Sequence, residues 1–306
     1  MIIDAHNHAG YHGFNYERFI ANMNQFGIDK TWILSWEAPV GDFDPNSIYA
    51  FPLPMAQTSE LGIANSGPVP FYLGLFYKMQ APDRFILGYA PDPRRPDAIQ
   101  RLKGAVNTYG VQVCGEVKLR MMYDNPDAID MFRWCGENGL PVTLHFDYPI
   151  GRGSAFPRPN WWYGGDIDTL ERMLKLCPET NFLGHAPGFW CHISNDDLGR
   201  TSSYPKGPVI PGGRIEQLMD KYPNIYCDCS AGSCHIALSR DLDYTRKLIL
   251  AHPDRFVYAR DYFDNVHQQL FNSLGLPKNV LEMIYHENAE RLVPPIVPEK
   301  KFEYAV

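Results

Sequence analysis

The first stretch able to do chemistry is "DAHNH", which places His6 and His8 two residues apart directly after an apolar start. In a β-strand the side chains alternate between faces, so both imidazoles project to the same side. Three later stretches end an apolar run on a polar residue of matching chemistry: "PVTLH" at His145, "NFLGH" at His185 and "FVYARD" at Asp261. Neutral imidazoles and a carboxylate suit Zn²⁺ or a similar borderline cation with one position left open for water. Such an ion lowers the pKa of its bound water to roughly 7. A fourth stretch, "CGEVKLR", puts Glu116, Lys118 and Arg120 on one face at a spacing of two. Two readings stand for it. Either Glu116 or Lys118 recruits a second ion, or the three form a layered ion pair in which Lys118 or Arg120 binds substrate; the second is favoured.

These residues need a scaffold that gathers them. Short apolar runs alternate with amphipathic stretches along the chain, and eight of them predict strands: Ile2–His8, Thr31–Trp36, Phe85–Ala90, Val113–Leu119, Val142–Phe146, Asn181–His185, Ile225–Ser230 and Phe256–Asp261. Helices are expected between them, at Tyr16–Phe26, Asp97–Tyr109, Pro126–Asn138, Ile167–Leu176, Gly213–Tyr222 and Asp241–Ala251, with a last one over Lys278–Leu292. Eight strands alternating with helices predict a parallel sheet closed as a (β/α)8 TIM barrel. An open doubly wound sheet is disfavoured, because no G-x-G-x-x-G follows the first strand and no phosphate loop of the G-x-x-x-x-G-K-[ST] type occurs. Long inserted segments follow strands two, five and six (Glu37–Pro70, Asp147–Gly165 and Ala186–Gly212). They leave the C-terminal ends of strands, where barrel enzymes build their pockets. The insert after strand five carries Arg152, Arg158, Trp161 and Trp162. Guanidinium groups and aromatic walls suit an anionic, aromatic or cyclic substrate; equally, the two tryptophans anchor a long loop against the barrel. His12 and His192 are loop histidines placed to reach the site.

The totals fit one domain over residues 1–306. The chain is 45% hydrophobic and 21% charged, ordinary for a globular protein with a full core. A net charge of -7, with no run of Lys or Arg, argues against nucleic acid or an anionic membrane as partner. No stretch of about 18 apolar residues predicts a membrane span. The N-terminus has neither a basic segment nor an apolar core like a signal peptide, and the 7 cysteines form no small-domain framework. The expectation is a cytoplasmic protein with reduced thiols, acting on a small molecule; a homo-oligomer is left open.

In order along the chain, "IDAHNH", "LPVTLH", "FLGHA", Asp261 and the closing "IYHENAERLV" resemble the amidohydrolase-related family of metal-dependent barrel hydrolases. That group includes the aminocarboxymuconate-semialdehyde decarboxylase-like enzymes. The resemblance runs from Ile2 to Val293. It implies that His6, His8, His145 and Asp261 hold one divalent cation, most often zinc. It further implies that His185 is the catalytic histidine or one supporting the ligands, with Asp4 in a supporting role. Where relatives commonly have a small residue before the eighth-strand Asp, this chain has Arg260, which alternation turns away from the barrel axis.

The expected reaction is hydrolysis: activated water attacks a lactone, ester or amide carbonyl of a small anionic substrate, with Asp261 or His185 taking the proton. The alternative is a metal-dependent decarboxylase of a small carboxylic acid, which needs the same cation, acid/base group and anion clamp. Two further readings rank lower. A binuclear barrel nuclease has only Glu116 in its favour, and a non-catalytic metal-binding barrel would need four protein ligands closing the site.

Overall fold

The computed structural model describes residues 1–39, 68–147 and 162–295. All eight apolar runs form strands: β1 Ile3–Asn7, β2 Lys30–Ile33, β3 Phe85–Leu87, β4 Cys114–Val117, β5 Val142–His145, β6 Phe182–His185, β7 Ile225–Cys229 and β8 Phe256–Tyr258. Every ladder is parallel, in the orders β1-β2-β3 and β4-β5-β6-β7-β8. A parallel bridge between Gly88 and Val113 joins β3 to β4. At the other seam the Asp261 amide donates to His6 O at 2.8 Å, tying the end of β8 to β1. The sequence-based expectation of a (β/α)8 barrel is met.

Helices start where short polar side chains can satisfy the first free amides. Asn15 caps Tyr16–Gln25 by accepting from the Arg18 amide, and Asp166 opens Ile167–Leu176 with a capping box to Thr169. Three helices carry no clear signal in the sequence: Phe71–Gln80, Ala231–Ser239 and Val266–Ser273. The first leaves Tyr72, Phe76 and Met79 exposed, and the second is built of small residues such as Gly232 and Ser233, so neither shows a clean apolar stripe. The final helical stretch, Lys278–Leu292, contains one π turn at Met283–Glu287.

Inside the barrel, Ile3, Ala5, Leu34, Val113, Leu183, Tyr226 and Val257 form a buried apolar layer, closed beneath by Ala289, Leu292 and Val293. His185 and Asp228 stand two residues beyond Leu183 and Tyr226, so strand alternation stacks a polar layer on this apolar one. Alternation alone would send Asp4 the same way as His6. The β1–β2 register shifts between Asp4 and Asn7, however, and Asp4 instead meets Arg260. Arg260 is fully buried, donating to Asp4 from Nε at 2.8 Å and to Asn22 of the first helix from Nη1 at 2.7 Å. Asp4 thus supports the site from outside, holding β1 against β8. Removing one partner of a buried ion pair strands the other charge, at a cost of about 3–5 kcal/mol. Asp4→Ala is expected to lose stability on that scale by denaturant titration, and Asp4→Ala with Arg260→Met to recover much of it. A single variant within about 1 kcal/mol of wild type would rule out this pair as the clasp.

Among the described residues, no helix is long and apolar enough to cross a membrane.

Candidate metal centre

His6 and His8 do share a face: their Nε2 atoms lie 3.2 Å apart. Each ring is fixed from behind through Nδ1. His6 Nδ1 is 2.7 Å from Asp228 Oδ2, and His8 Nδ1 is 3.0 Å from the Leu34 carbonyl. With Nδ1–H donated in both rings, the Nε2 lone pairs are left facing each other and the barrel axis. Two carboxylates come up to them. Asp261 Oδ1 and Glu116 Oε2 are each 3.4 Å from His8 Nε2, and both oxygens are buried with no hydrogen-bond partner. Asp261 Oδ1 is also 3.9 Å from His6 Nε2.

His185 faces the opposite oxygens of the same two carboxylates, with Nε2 3.7 Å from Glu116 Oε1 and 3.9 Å from Asp261 Oδ2. Its Nδ1 is 2.8 Å from Ser230 Oγ. His145, in register with His185 across the β5–β6 ladder, sets Nδ1 2.6 Å from Glu116 Oε1. Donor atoms approach within 4.8 Å of one another in two groups among the described residues, His6–His8–Asp261 and His6–Glu116–His185. His145 belongs to neither.

The electrostatics follow from crowding carboxylates and imidazoles out of water. Burial opposes charging His6, yet Asp228, Asp261 and Glu116 together overcome it and raise its pKa to about 10. Burial likewise opposes ionising Asp261 and Glu116. The nearby imidazoles of His8 and His6 hold the first well below the usual carboxylate range, and Lys118 with His145 does so for the second. His185 goes the other way: burial, then the neighbouring His6, push it well below the ordinary value and keep it neutral. The centre therefore carries ionised carboxylates that draw positive charge to it, as protons on His6 and His8 or as a cation.

Lys118 stands over this centre. Its ammonium lies 5.4 Å from the Trp36 ring centroid and 5.7 Å from that of Tyr163. The Trp36 ring is 5.3 Å from His8, and the Tyr163 ring is 5.3 Å from His145. Arg120 ends the same stretch, with a buried Nε that has no hydrogen-bond partner. Tyr11 and Tyr262 extend the aromatic wall around His12, whose buried Nε2 also lacks a partner. His192 lies elsewhere, with Arg214, Asp166 and Asp168 as its charged neighbours. Of the loop residues proposed from sequence, Trp162 is partly buried, and Arg152, Arg158 and Trp161 lie outside the described residues.

Sequence reasoning missed Asp228, Ser230, Trp36 and Tyr163. Asp228 did leave a signal, being the one charged residue in the buried strand Ile225–Cys229.

No protein-family model and no curated protein matches the sequence. Solved structures do match over nearly the whole chain. A TIM-barrel protein from Bordetella bronchiseptica superposes with a TM-score of 0.60 at 16% identity, over 95% of this chain and 97% of that one. A dihydroxybenzoic acid decarboxylase from Polaromonas sp. JS666, with bound manganese and the inhibitor 2-nitroresorcinol, gives 0.59 at 14% identity, over 95% and 96%. A protein described as a probable 2-pyrone-4,6-dicarboxylic acid hydrolase from Acinetobacter baumannii, with citric acid bound, gives 0.54 at 11% identity, over 95% and 98%. At 11–16% identity these likenesses show the fold, a (β/α)8 barrel, shared with solved structures whose descriptions include decarboxylases, a probable hydrolase and an amidohydrolase.

Proposed function

We propose that the protein is a metal-dependent enzyme of the amidohydrolase type that hydrolyses a carbonyl bond in a small anionic substrate, with zinc as its ion. One observation carries the reading: two imidazole Nε2 atoms 3.2 Å apart are met by two buried carboxylate oxygens that have no hydrogen-bond donor. Groups so arranged fit a divalent cation, which neutralises the carboxylates and accepts the lone pairs. His6, His8 and Asp261 are three of its ligands. Bound there, the cation supplies Lewis-acid polarisation and a water of lowered pKa. Asp261 then takes a proton on its carboxylate. His185 Nε2, neutral and 3.9 Å from Asp261 Oδ2, accepts that proton from Asp261 and hands it on to the leaving group. Asp228 and Ser230 hold the two histidine rings in the tautomers this requires.

Lys118 is the substrate's anchor. Its ammonium rests between two aromatic faces with no hydrogen-bond or ion-pair acceptor among the described residues, free to meet a carboxylate. A charge-assisted hydrogen bond contributes about 1.5–3 kcal/mol, so Lys118→Met is expected to raise KM roughly 10–150-fold. Metal content should stay unchanged in that variant. A KM unaffected by the change would remove Lys118 from the substrate site.

A second reading, decarboxylation of a small aromatic acid, is favoured by the same cage. The Trp36 and Tyr163 rings flank Lys118 as they would a planar carboxylate, and dihydroxybenzoate decarboxylases are among the structural neighbours. Metal analysis followed by a screen of lactones, N-acyl compounds and unsaturated or aromatic carboxylates tests both. Release of acid without carbon dioxide supports hydrolysis; carbon dioxide release supports the lyase. A protein that takes up no divalent ion would overturn the two together.

A further inference from the structure

A neutral imidazole carries one ring proton, and His185 is a base toward the centre only when that proton sits on Nδ1. Ser230 does not settle where it sits. Its hydroxyl, 2.8 Å from His185 Nδ1, either accepts from an N–H or donates to a lone pair. Glu116 Oε1 and Asp261 Oδ2, 3.7 and 3.9 Å from Nε2, draw the proton toward the centre instead. Keeping it at Nδ1 takes a further group.

Asp228 stands where that group is needed. It is fully buried on β7, and its two oxygens serve two rings. Oδ2 accepts from His6 Nδ1 at 2.7 Å, while Oδ1 lies 3.8 Å from His185 Nδ1. The two rings are 4.4 Å apart, centroid to centroid. The Trp190 indole donates to the Asp228 carbonyl at 3.1 Å and fixes the strand at this point. At 3.8 Å Oδ1 makes no hydrogen bond to the ring, but in a buried site its charge acts at that range.

Which pull wins depends on which oxygens are already satisfied. Glu116 Oε1 has His145 Nδ1 at 2.6 Å, and a cation in the centre answers Asp261. Asp228 Oδ1 is buried with no hydrogen-bond partner. A proton on Nδ1 turns an N–H dipole toward that oxygen. A proton on Nε2 turns a lone pair toward it, leaving two buried acceptors face to face.

We infer that Asp228 is a positioning residue for two histidines at once: one oxygen orients His6, and the other fixes the His185 proton on Nδ1. The inference deepens the proposed function and rests on the proton-transfer role given there to His185.

The test reads the proton directly and needs no substrate. Nitrogen-15 NMR of the full-length protein with labelled histidine distinguishes the two neutral tautomers, and the His185 signals are those absent from His185→Asn. With zinc supplied, wild type should show His185 protonated on Nδ1. Asp228→Asn keeps the side chain's shape, and its amide oxygen can still accept from His6 Nδ1. Its NH2 group then replaces Oδ1 and presents a donor to His185 Nδ1. The proton should move to Nε2, the tautomer error that an Asp-to-Asn change makes in a serine-protease triad. Zinc affinity should fall by no more than about 100-fold, as for a supporting partner. Ser230→Ala should leave the proton on Nδ1, because the carboxylate remains. An Nε2-protonated His185 in wild type or in Ser230→Ala, or an Nδ1-protonated one in Asp228→Asn, would overturn the inference. The wild-type and Ser230→Ala spectra decide it even where Asp228→Asn folds poorly. An undiminished rate in His185→Asn would strike the proton-transfer reading alone, since the tautomer is read without turnover.

Discussion

Asp261→Asn is expected to lose most of its bound zinc and to fall at least about 10²-fold in turnover when zinc is supplied in excess. Asparagine keeps the shape of the side chain. It also keeps the backbone, because Asp261 adopts a left-handed conformation at φ 54 and Asn is the residue that tolerates this about as well. The bond from the Asp261 amide to His6 O, which ties β8 to β1, needs no carboxylate. What disappears is charge. The oxygen 3.4 Å from His8 Nε2 becomes that of a neutral amide, a poorer ligand that cannot take up a proton. His6, whose raised pKa owes part to Asp261, should protonate less readily in the metal-free variant. Metal analysis and steady-state kinetics, with a denaturation midpoint as control for folding, read these effects separately. A variant of normal stability with full zinc occupancy would show that Asp261 is no ligand.

How far the chain could be read in advance depended on whether a residue's signal was local. Strands buried on both sides are apolar throughout, so a His or Asp at the end of one stands out, and His145, His185 and Asp261 were found that way. Asp228 obeys the same rule, but "IYCDC" reads first as a cysteine pair, and its neighbours Cys227 and Cys229 are simply buried free thiols. Register is not local. The shift between Asp4 and Asn7 turns Asp4 outward to Arg260, and the one between Cys114 and Val117 lies where Glu116 enters the imidazole ring. Neither shift can be read from spacing, since a one-residue slip exchanges the faces of a strand. The cage around Lys118 is less visible still. Trp36 and Tyr163 come from the ends of different strand–loop segments, and aromatic residues occur in every core, so only the folded chain brings them together.

His185 should separate binding of the ion from the chemistry. The residue pairs with the far oxygens of the two carboxylates, Glu116 Oε1 and Asp261 Oδ2, while His8 faces the near ones. Its ring is held by Ser230 at Nδ1 and lies 4.4 Å, centroid to centroid, from that of His6. Burial and His6 keep it neutral well below the ordinary histidine range, so Nε2 is available as a base at neutral pH. A cation in the centre would press in the same direction. Protonation of His185 therefore contributes no acid limb near pH 6.5, and any fall in kcat due to it comes at lower pH. His185→Asn retains a polar group for Ser230 and removes no atom from the His6–His8–Asp261 group. The variant is expected to keep its zinc and its stability while kcat drops roughly 10²–10⁴-fold, the range for a general acid/base. KM should change little, because proton transfer acts in the transition state and not in binding. Loss of the metal on His185→Asn would make the residue a ligand, and an undiminished rate would leave the proton transfer to Asp261 alone.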